Sequence, residues 1–403
     1  MTDIDRPENP VVIAGARIFD GETWHDGKAL AIGADRRITG IADPRELPDG
    51  TSLLTVDGGM LIPGFVDLQV NGGGGILLND RPDAAGIATI CAAHCPFGTT
   101  ALLATLITDT VEITTRALDA GRDAAQRQIP GFLGLHLEGP HLAPARHGAH
   151  DPALIRPMTD ADLRRLTEAS KTMPVLLTTI APEAVSGARI AHLAEAGVVV
   201  SLGHSNASCE QARAAADAGA TMVTHLFNAM SPLAHREPGM VGAALDHGGL
   251  HAGLIADGIH VDATAVAIAL RAKRGPGRVF LVTDAMATTG TTLDAFTLNG
   301  RVVYRRNGRL TLADGTLAGA DTTMIASVRF MHHAIGLPLG EALRMASLYP
   351  AQAVGKSATI GHLRPGARAD LVHLSDTLDI RAVWIGGSRV FTAVPSAQDA
   401  SFS

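Results

Sequence analysis

Cysteine, lysine and charge are all scarce in this 403-residue sequence, and each scarcity excludes something. Three cysteines, Cys91, Cys95 and Cys209, cannot build a disulfide framework, and an odd number suits a reducing compartment. No apolar run reaches the roughly 18 residues of a membrane-spanning helix. The opening MTDIDRPENP is acidic and polar, unlike the basic-then-apolar pattern of a secretory signal. The expected address is therefore cytoplasmic, with no membrane partner. The 33 Lys and Arg are outnumbered by 40 Asp and Glu, for a formal net charge of -7. That is the wrong sign for a nucleic-acid binder. Only Lys28, Lys171, Lys273 and Lys356 are lysines, so 29 of the basic residues are arginine.

What is present supports a large core. Hydrophobic residues make up 46% of the chain and charged residues 18%, which argues against global disorder. The length fits one large domain with an appendage, or about two to three ordinary ones. Forty-four glycines and 17 histidines concentrate in a few strings.

The first 60 or so residues hold short β-like runs, VVIAGARIFD, ALAIGA and SLLTVDGG, split by Asp-Gly, Gly-Ala and Pro-Asp-Gly turn signals. The last 40 or so hold similar runs, ADLVHLS and AVWIGGSRVF. The two ends are expected to pair into one small β-sandwich domain from residues 1–62 and 361–403. The chain would leave it near Pro63 and return near His362. Residues 63–360 read differently. Eight apolar runs, LIPGFVDLQV, TTALLATLIT, FLGLHLEG, VLLTTIAP, VVVSLGHS, MVTHLFNA, AGLIADG and VFLVTDA, recur there. Between most of them lie Ala-rich stretches of helical spacing, such as CEQARAAADAGA. Buried parallel strands read as continuous apolar runs, with helices as crossovers. Eight such strands in roughly 290 residues predict a (β/α)8 TIM-like barrel, an α/β fold. A doubly wound open sheet is the competitor. The Gly72–Gly75 run lacks the spacing and the later acidic partner of a dinucleotide fingerprint.

Catalytic groups of a barrel sit at the C-terminal ends of its strands. Here those ends carry Asp67, Gln69 and Asn71, then His136 and Glu138, His204, His225 with Asn228, Asp257 with His260, and Asp284. A lone strand-end histidine is more often a packing residue than a ligand. Two histidines, a glutamate and an aspartate ending four strands are the donor set of zinc and related divalent ions. His136 and Glu138 share a strand face. Glu138, nearer the end, is the better ligand, with His136 expected one layer deeper as support. Asp284 is expected to act as general base, the alternative being an N-cap of the next helix. Cys91, His94 and Cys95 lie in an Ala-rich helical segment, where cysteine is a small buried hydrophobe. The polar loop His141 to His150 is placed to close over a substrate.

Several strings resemble the amidohydrolase superfamily and, within it, the N-acetylglucosamine-6-phosphate deacetylases. They are PGFVDLQVNGGGG (63–75), HLEGPHLAPARHGAH (136–150), GHSNAS (203–208), THLFNAMSPLAHREPG (224–239), IADGIHV (255–261), LVTDAMATTG (281–290), LAGA (317–320) and GHLRPGARADLV (361–372). The likeness spans essentially the whole chain. PGFVD and the C-terminal string are general to the superfamily; HLEGP, THLFNAM and REPG are far more specific. The resemblance implies one divalent metal per subunit on Glu138, His204 and His225, zinc first, with iron, manganese or cobalt as alternatives. It implies Asp284 as the acid/base residue. It implies Asn228, the Ala229 backbone and Arg236 as phosphate-binding elements, with Ala149, through its backbone, and His150 and His260 at the sugar or the amide carbonyl. His260 would then help Asp284 in catalysis. Arg236 or His260 would act across a subunit interface, so a homodimer or higher homo-oligomer is implied.

One departure matters. Many members carry His-x-His at the end of strand one, holding a second metal; here Gln69 and Asn71 stand there. Amides are poor ligands for such ions, so these are vestigial second-metal positions. None of the four lysines ends a barrel strand, which excludes a bridging carboxylated lysine. The implied reaction is metal-dependent hydrolysis of the acetamide of N-acetylglucosamine 6-phosphate. The competing readings are a deacetylase of N-acetylgalactosamine 6-phosphate or another N-acyl amino sugar, and a non-catalytic scaffold. For Arg236 the competing reading is a surface ion pair with Glu237.

Overall fold

The computed structural model describes residues 11–46 and 52–394. The Pro48-Asp49-Gly50 turn signal, and residues 1–10 and 395–403 of the expected sandwich, lie outside the described residues. The eight apolar runs become eight parallel strands: β1 (Phe65–Val70), β2 (Thr99–Ile107), β3 (Phe132–Glu138), β4 (Val175–Ile180), β5 (Val199–Leu202), β6 (Met222–Val223), β7 (His251–Ile255) and β8 (Val279–Val282). Each pairs with the next in chain order. The ring closes where Val70 bridges Ala285 and the Asp284 N–H donates to the Gln69 carbonyl at 3.0 Å. This is a (β/α)8 TIM-like barrel.

The crossovers are α1 (Ala84–His94), α2 (Val111–Gln126), α3 (Asp160–Ala169), α4 (Gly187–Glu195), α5 (Cys209–Asp217), α6 (Gly239–Asp246) and α7 (Ala263–Ala272), with α8 (Met324–Arg329) after the last strand. Six of the eight begin at an Asp, Ser or Thr whose side chain accepts a first-turn N–H: Asp83, Thr110, Thr159, Ser208, Asp262 and Thr323. The Asp284 alternative fails here: the next helix is capped by Thr323.

Two further sheets involve the chain ends. One orders Ile38–Ala42, Ala29–Ile32, Val11–Ala14 and Ser52–Thr55. The other orders Ser388–Thr392, Ile380–Ile385, Leu371–Leu374, Met60–Pro63, Arg17–Phe19 and Trp24–His25. Its seam is antiparallel, Val372 facing Ile62 and His373 facing Leu61. Ile13, Ile18, Leu30, Ile38, Leu61, Leu371 and Trp384 share one buried apolar cluster. The run LIPGFVDLQV is thus cut in two, its head in this sheet and its tail in the barrel. The cut falls at Gly64, where a Cβ would lie 2.0 Å from Thr100 Oγ1.

One sheet is absent from the sequence expectation. Between β8 and α8 run four antiparallel strands, Ala295–Leu298, Arg301–Arg306, Arg309–Thr311 and Leu317–Ala320. This meander returns to the barrel end, where the Ala320 N–H donates to the Asp284 carbonyl at 2.9 Å. No helix among the described residues is long and apolar enough to cross a membrane.

Candidate active site

The ends of β3, β5 and β6 bring Glu138, His204 and His225 together, each 2–4% exposed. Glu138 Oε1 lies 3.2 Å from His204 Nε2 and 3.0 Å from His225 Nε2, and the two ring nitrogens are 3.0 Å apart. Donors bonded tetrahedrally at about 2.0–2.2 Å stand roughly 3.3–3.6 Å apart, so the triangle matches a small divalent cation to a few tenths of an ångström. A carboxylate and two imidazoles are also the right chemistry. His204 Nδ1 donates to the Arg146 carbonyl at 2.8 Å, which turns the Nε2 lone pair inward. Burial pushes the Glu138 carboxyl up, but the close His204 and His225 rings outweigh it and hold it well below the ordinary range. Among the described residues, this is the one group of His, Cys, Asp or Glu side chains arranged to hold a metal ion.

These side chains reach inward because their backbones leave the strands sharply. His204, His225, Ala229 and Asp284 have φ of 46°, 27°, 48° and 51°. Such left-handed backbones cost a non-glycine residue of order 1–3 kcal/mol and persist where the surroundings enforce them. For Asp284 the enforcement is visible in bonds from its N–H to β1 and to its carbonyl from Ala320. Gly319 permits that approach: its φ is +67°, and a Cβ would meet Met286 Cγ at 2.4 Å.

Gln69 and Asn71 occupy the space between the carboxylates. Gln69 Nε2 donates to Glu138 Oε1 at 2.9 Å and to Asp284 Oδ1 at 3.1 Å, and Asn71 Nδ2 donates to Asp284 Oδ1 at 2.7 Å. Burial, then the nearby Glu138 carboxylate, push Asp284 up to about 6, with His225, the Asn71 hydrogen bond and His260 opposing. A carboxylate poised there can exchange protons near neutral pH.

A cavity of about 250 Å³ opens over this group. Asn71, Glu138, Ala149, His150, His204, His225, Asn228, Ala229, His260 and Asp284 all line it. The His150 ring is fixed by Thr108, whose N–H donates to Nδ1 at 3.3 Å and whose Oγ1 lies 2.8 Å from it. The proton is therefore on Nε2, which lies 3.7 Å from Glu138 Oε2. Asn228 Nδ2 donates to the carbonyls of His225 and Leu226, at 3.4 and 3.3 Å. Leu298, Thr316, Leu317 and Gly319 complete the wall from the meander, and Arg301 donates to the Ala149 carbonyl. Sequence reasoning gave none of them a site role, though Leu317 and Gly319 fall within the LAGA string.

Arg236 is not brought to the cavity. It sits on the exposed stretch 232–237 beside Leu233, which is 56% exposed. Nor does it pair with Glu237, whose Oε1 instead accepts the N–H groups of Cys209 and Gly239 at 2.8 and 3.0 Å. His136 is buried one layer down, its Nε2 2.7 Å from Thr179 Oγ1, and burial lowers it to about 4. Cys91 and Cys95 are buried, which pushes both thiols up to about 12. His94 donates to the Gly72 carbonyl at 2.9 Å.

A barrel carrying a Glu-His-His group and an aspartate on its strand ends defines a hydrolase class that uses a divalent metal, and the chain belongs to the amidohydrolase family: the family model matches residues 60–390. Within that family it is similar to an N-acetylgalactosamine-6-phosphate deacetylase of Shewanella sp. (strain ANA-3), 42% identical over 83% of this chain and 84% of that one. It is similar also to an N-acetylglucosamine-6-phosphate deacetylase of Haemophilus influenzae, 35% identical over 87% of this chain and 91% of that one. The crystal structure of N-acetylglucosamine-6-phosphate deacetylase from Pasteurella multocida superposes with a TM-score of 0.91 at 32% identity, over 95% of this chain and 100% of that one.

Proposed function

We propose that the protein hydrolyses the acetamide of N-acetylglucosamine 6-phosphate to glucosamine 6-phosphate and acetate. The observation that carries this reading is the Glu138–His204–His225 triangle facing Asp284 in one cavity. Glu138, His204 and His225 would hold a single divalent cation, zinc in this proposal, which would supply Lewis acidity enough to bring the pKa of water down to about 7. Asp284 takes the proton from the attacking water and then gives it to the glucosamine nitrogen as the C–N bond breaks. His260 donates to the acyl oxygen as charge builds there. Gln69 and Asn71 hold Asp284 in place with N–H groups that exclude a second cation. His150 and the Ala149 backbone meet the sugar; Asn228 and the Ala229 backbone meet the phosphate.

Arg236, exposed and outside its own chain's cavity, completes the phosphate site of a second copy, making the protein a homodimer or higher homo-oligomer. Its planar fork suits two phosphate oxygens at once. The described parts of residues 1–62 and 361–403 make up a sandwich domain in this reading, residues 63–360 the hydrolase barrel, and the address is cytoplasmic. A second reading, N-acetylgalactosamine 6-phosphate as substrate, is favoured by the greater identity to the Shewanella relative. The two sugars differ in the configuration at C4.

Acetate release by metal-loaded protein tests both readings, with the two phosphorylated sugars and free N-acetylglucosamine side by side. Turnover of the gluco substrate ahead of the other two supports the first reading, and a galacto preference the second. No turnover of any of them removes both. Arg236→Ala should raise KM for the phosphorylated sugar about 10- to 100-fold while sparing the free sugar; equal effects on both would remove the phosphate assignment.

A further inference from the structure

The loop between β7 and α7 contains a carboxylate with no role above. Asp257 Oδ2 lies 2.6 Å from His260 Nδ1, and Asp257 Oδ1 accepts the N–H groups of Ile259 and His260, both at 2.8 Å. Both side chains are 7% exposed. Three N–H donors converge on the carboxyl group; burial pushes it up, but the hydrogen bonds, first that from His260, bring it below the ordinary range. The ring proton on Nδ1 is therefore committed to Asp257, and Nε2 is the nitrogen left for the cavity that His260 lines. The loop is also held from behind. Gly258 has φ of +69°, and a Cβ there would lie 3.0 Å from Phe330 Cε2.

A neutral ring with its proton on Nδ1 offers only a lone pair at Nε2, which repels an acyl oxygen. Donation from Nε2 requires the second proton, and an adjacent buried carboxylate is what stabilises the resulting imidazolium. We infer that Asp257 is a positioning residue whose carboxylate holds Nδ1–H of His260 and so aims Nε2 at the acyl oxygen of the substrate. The inference rests on the role given to His260 above.

The experiment is a double-mutant cycle on the metal-loaded enzyme with Asp257→Asn, His260→Asn and both together, read as kcat and KM. Asparagine keeps an acceptor for Nδ1–H but removes the charge. Asp257→Asn should lower kcat about 10- to 100-fold with KM within about twofold, and His260→Asn about 100- to 1000-fold. The double variant should be no slower than His260→Asn alone, because Asp257 acts only through that ring. Losses that multiply, or a wild-type kcat in Asp257→Asn beside a slow His260→Asn, would overturn the inference alone. A wild-type kcat in His260→Asn would overturn the role of His260 itself, and the inference with it. Should Asp257→Asn not fold, the wild-type proton spectrum decides. A ring proton far downfield that disappears in His260→Asn supports the pair, and no such proton overturns it.

Discussion

Asp284 shows how much a single residue depends on others distant in sequence. Its N–H is tied to β1, its carbonyl to the meander, and its carboxylate to the amides of Gln69 and Asn71. Asp284→Asn preserves shape and both backbone bonds. The variant should fold and retain its metal, yet lose turnover by about 100- to 10,000-fold. Metal content by elemental analysis, measured beside acetate release, checks this; a variant with near-normal turnover would not have lost its base. The residue types at the strand ends were legible because imidazole and carboxylate after an apolar run are chemically out of place. What Gln69 does was not. Its two hydrogen bonds span β1, β3 and β8, and no spacing within the chain shows that those ends converge. Arg236 was legible only through the resemblance, and its own chain leaves it exposed.

At the level of elements, the barrel strands could be read because burial on both faces leaves no alternation. The meander could also have been read, had its turns been weighed. Asn299-Gly300 and Asn307-Gly308 have φ of 47° and 74°, then 52° and 72°, the paired left-handed conformations of tight hairpins. Asp314-Gly315 marks the third turn. The meander's strands sit at the surface instead of running apolar, and only LAGA, its last strand, stands out, through the resemblance. It nevertheless walls the cavity and steadies the loop after β3 through Arg301. Arg301→Ala removes that hold on the Ala149 carbonyl while leaving the metal group and Asp284 untouched. KM should rise about tenfold with kcat changed far less. Steady-state kinetics decides, and a fall in kcat at constant KM would place Arg301 in the chemistry instead.

For the whole molecule, Glu138, His204 and His225 come from the ends of three strands, so a cation bound to them would cross-brace the barrel end. A ligand held at a thousand times its dissociation constant contributes about 4 kcal/mol of stability. At about 1 °C per kcal/mol for a chain of 403 residues, chelation should lower Tm by roughly 5 °C. Added zinc should restore it, as followed by calorimetry. An unchanged Tm after verified metal removal would deny the brace. The α/β class and the closed barrel were legible in the order of runs, since their connections are local. The sheet that mixes residues 17–63 with 371–392 was legible only as two similar ends, because pairing across some 300 residues leaves no local trace.

That seam has a consequence for how the chain is made. Met60–Pro63 is synthesised early but meets Leu371–Leu374 only when nearly all of the polypeptide has left the ribosome. Until then an apolar strand edge waits unpaired while the barrel assembles beside it, and such an edge is a template for the wrong neighbour. Chains released short of their last 40 or so residues would carry every ligand and the base, and still be the ones a cell has to capture or destroy.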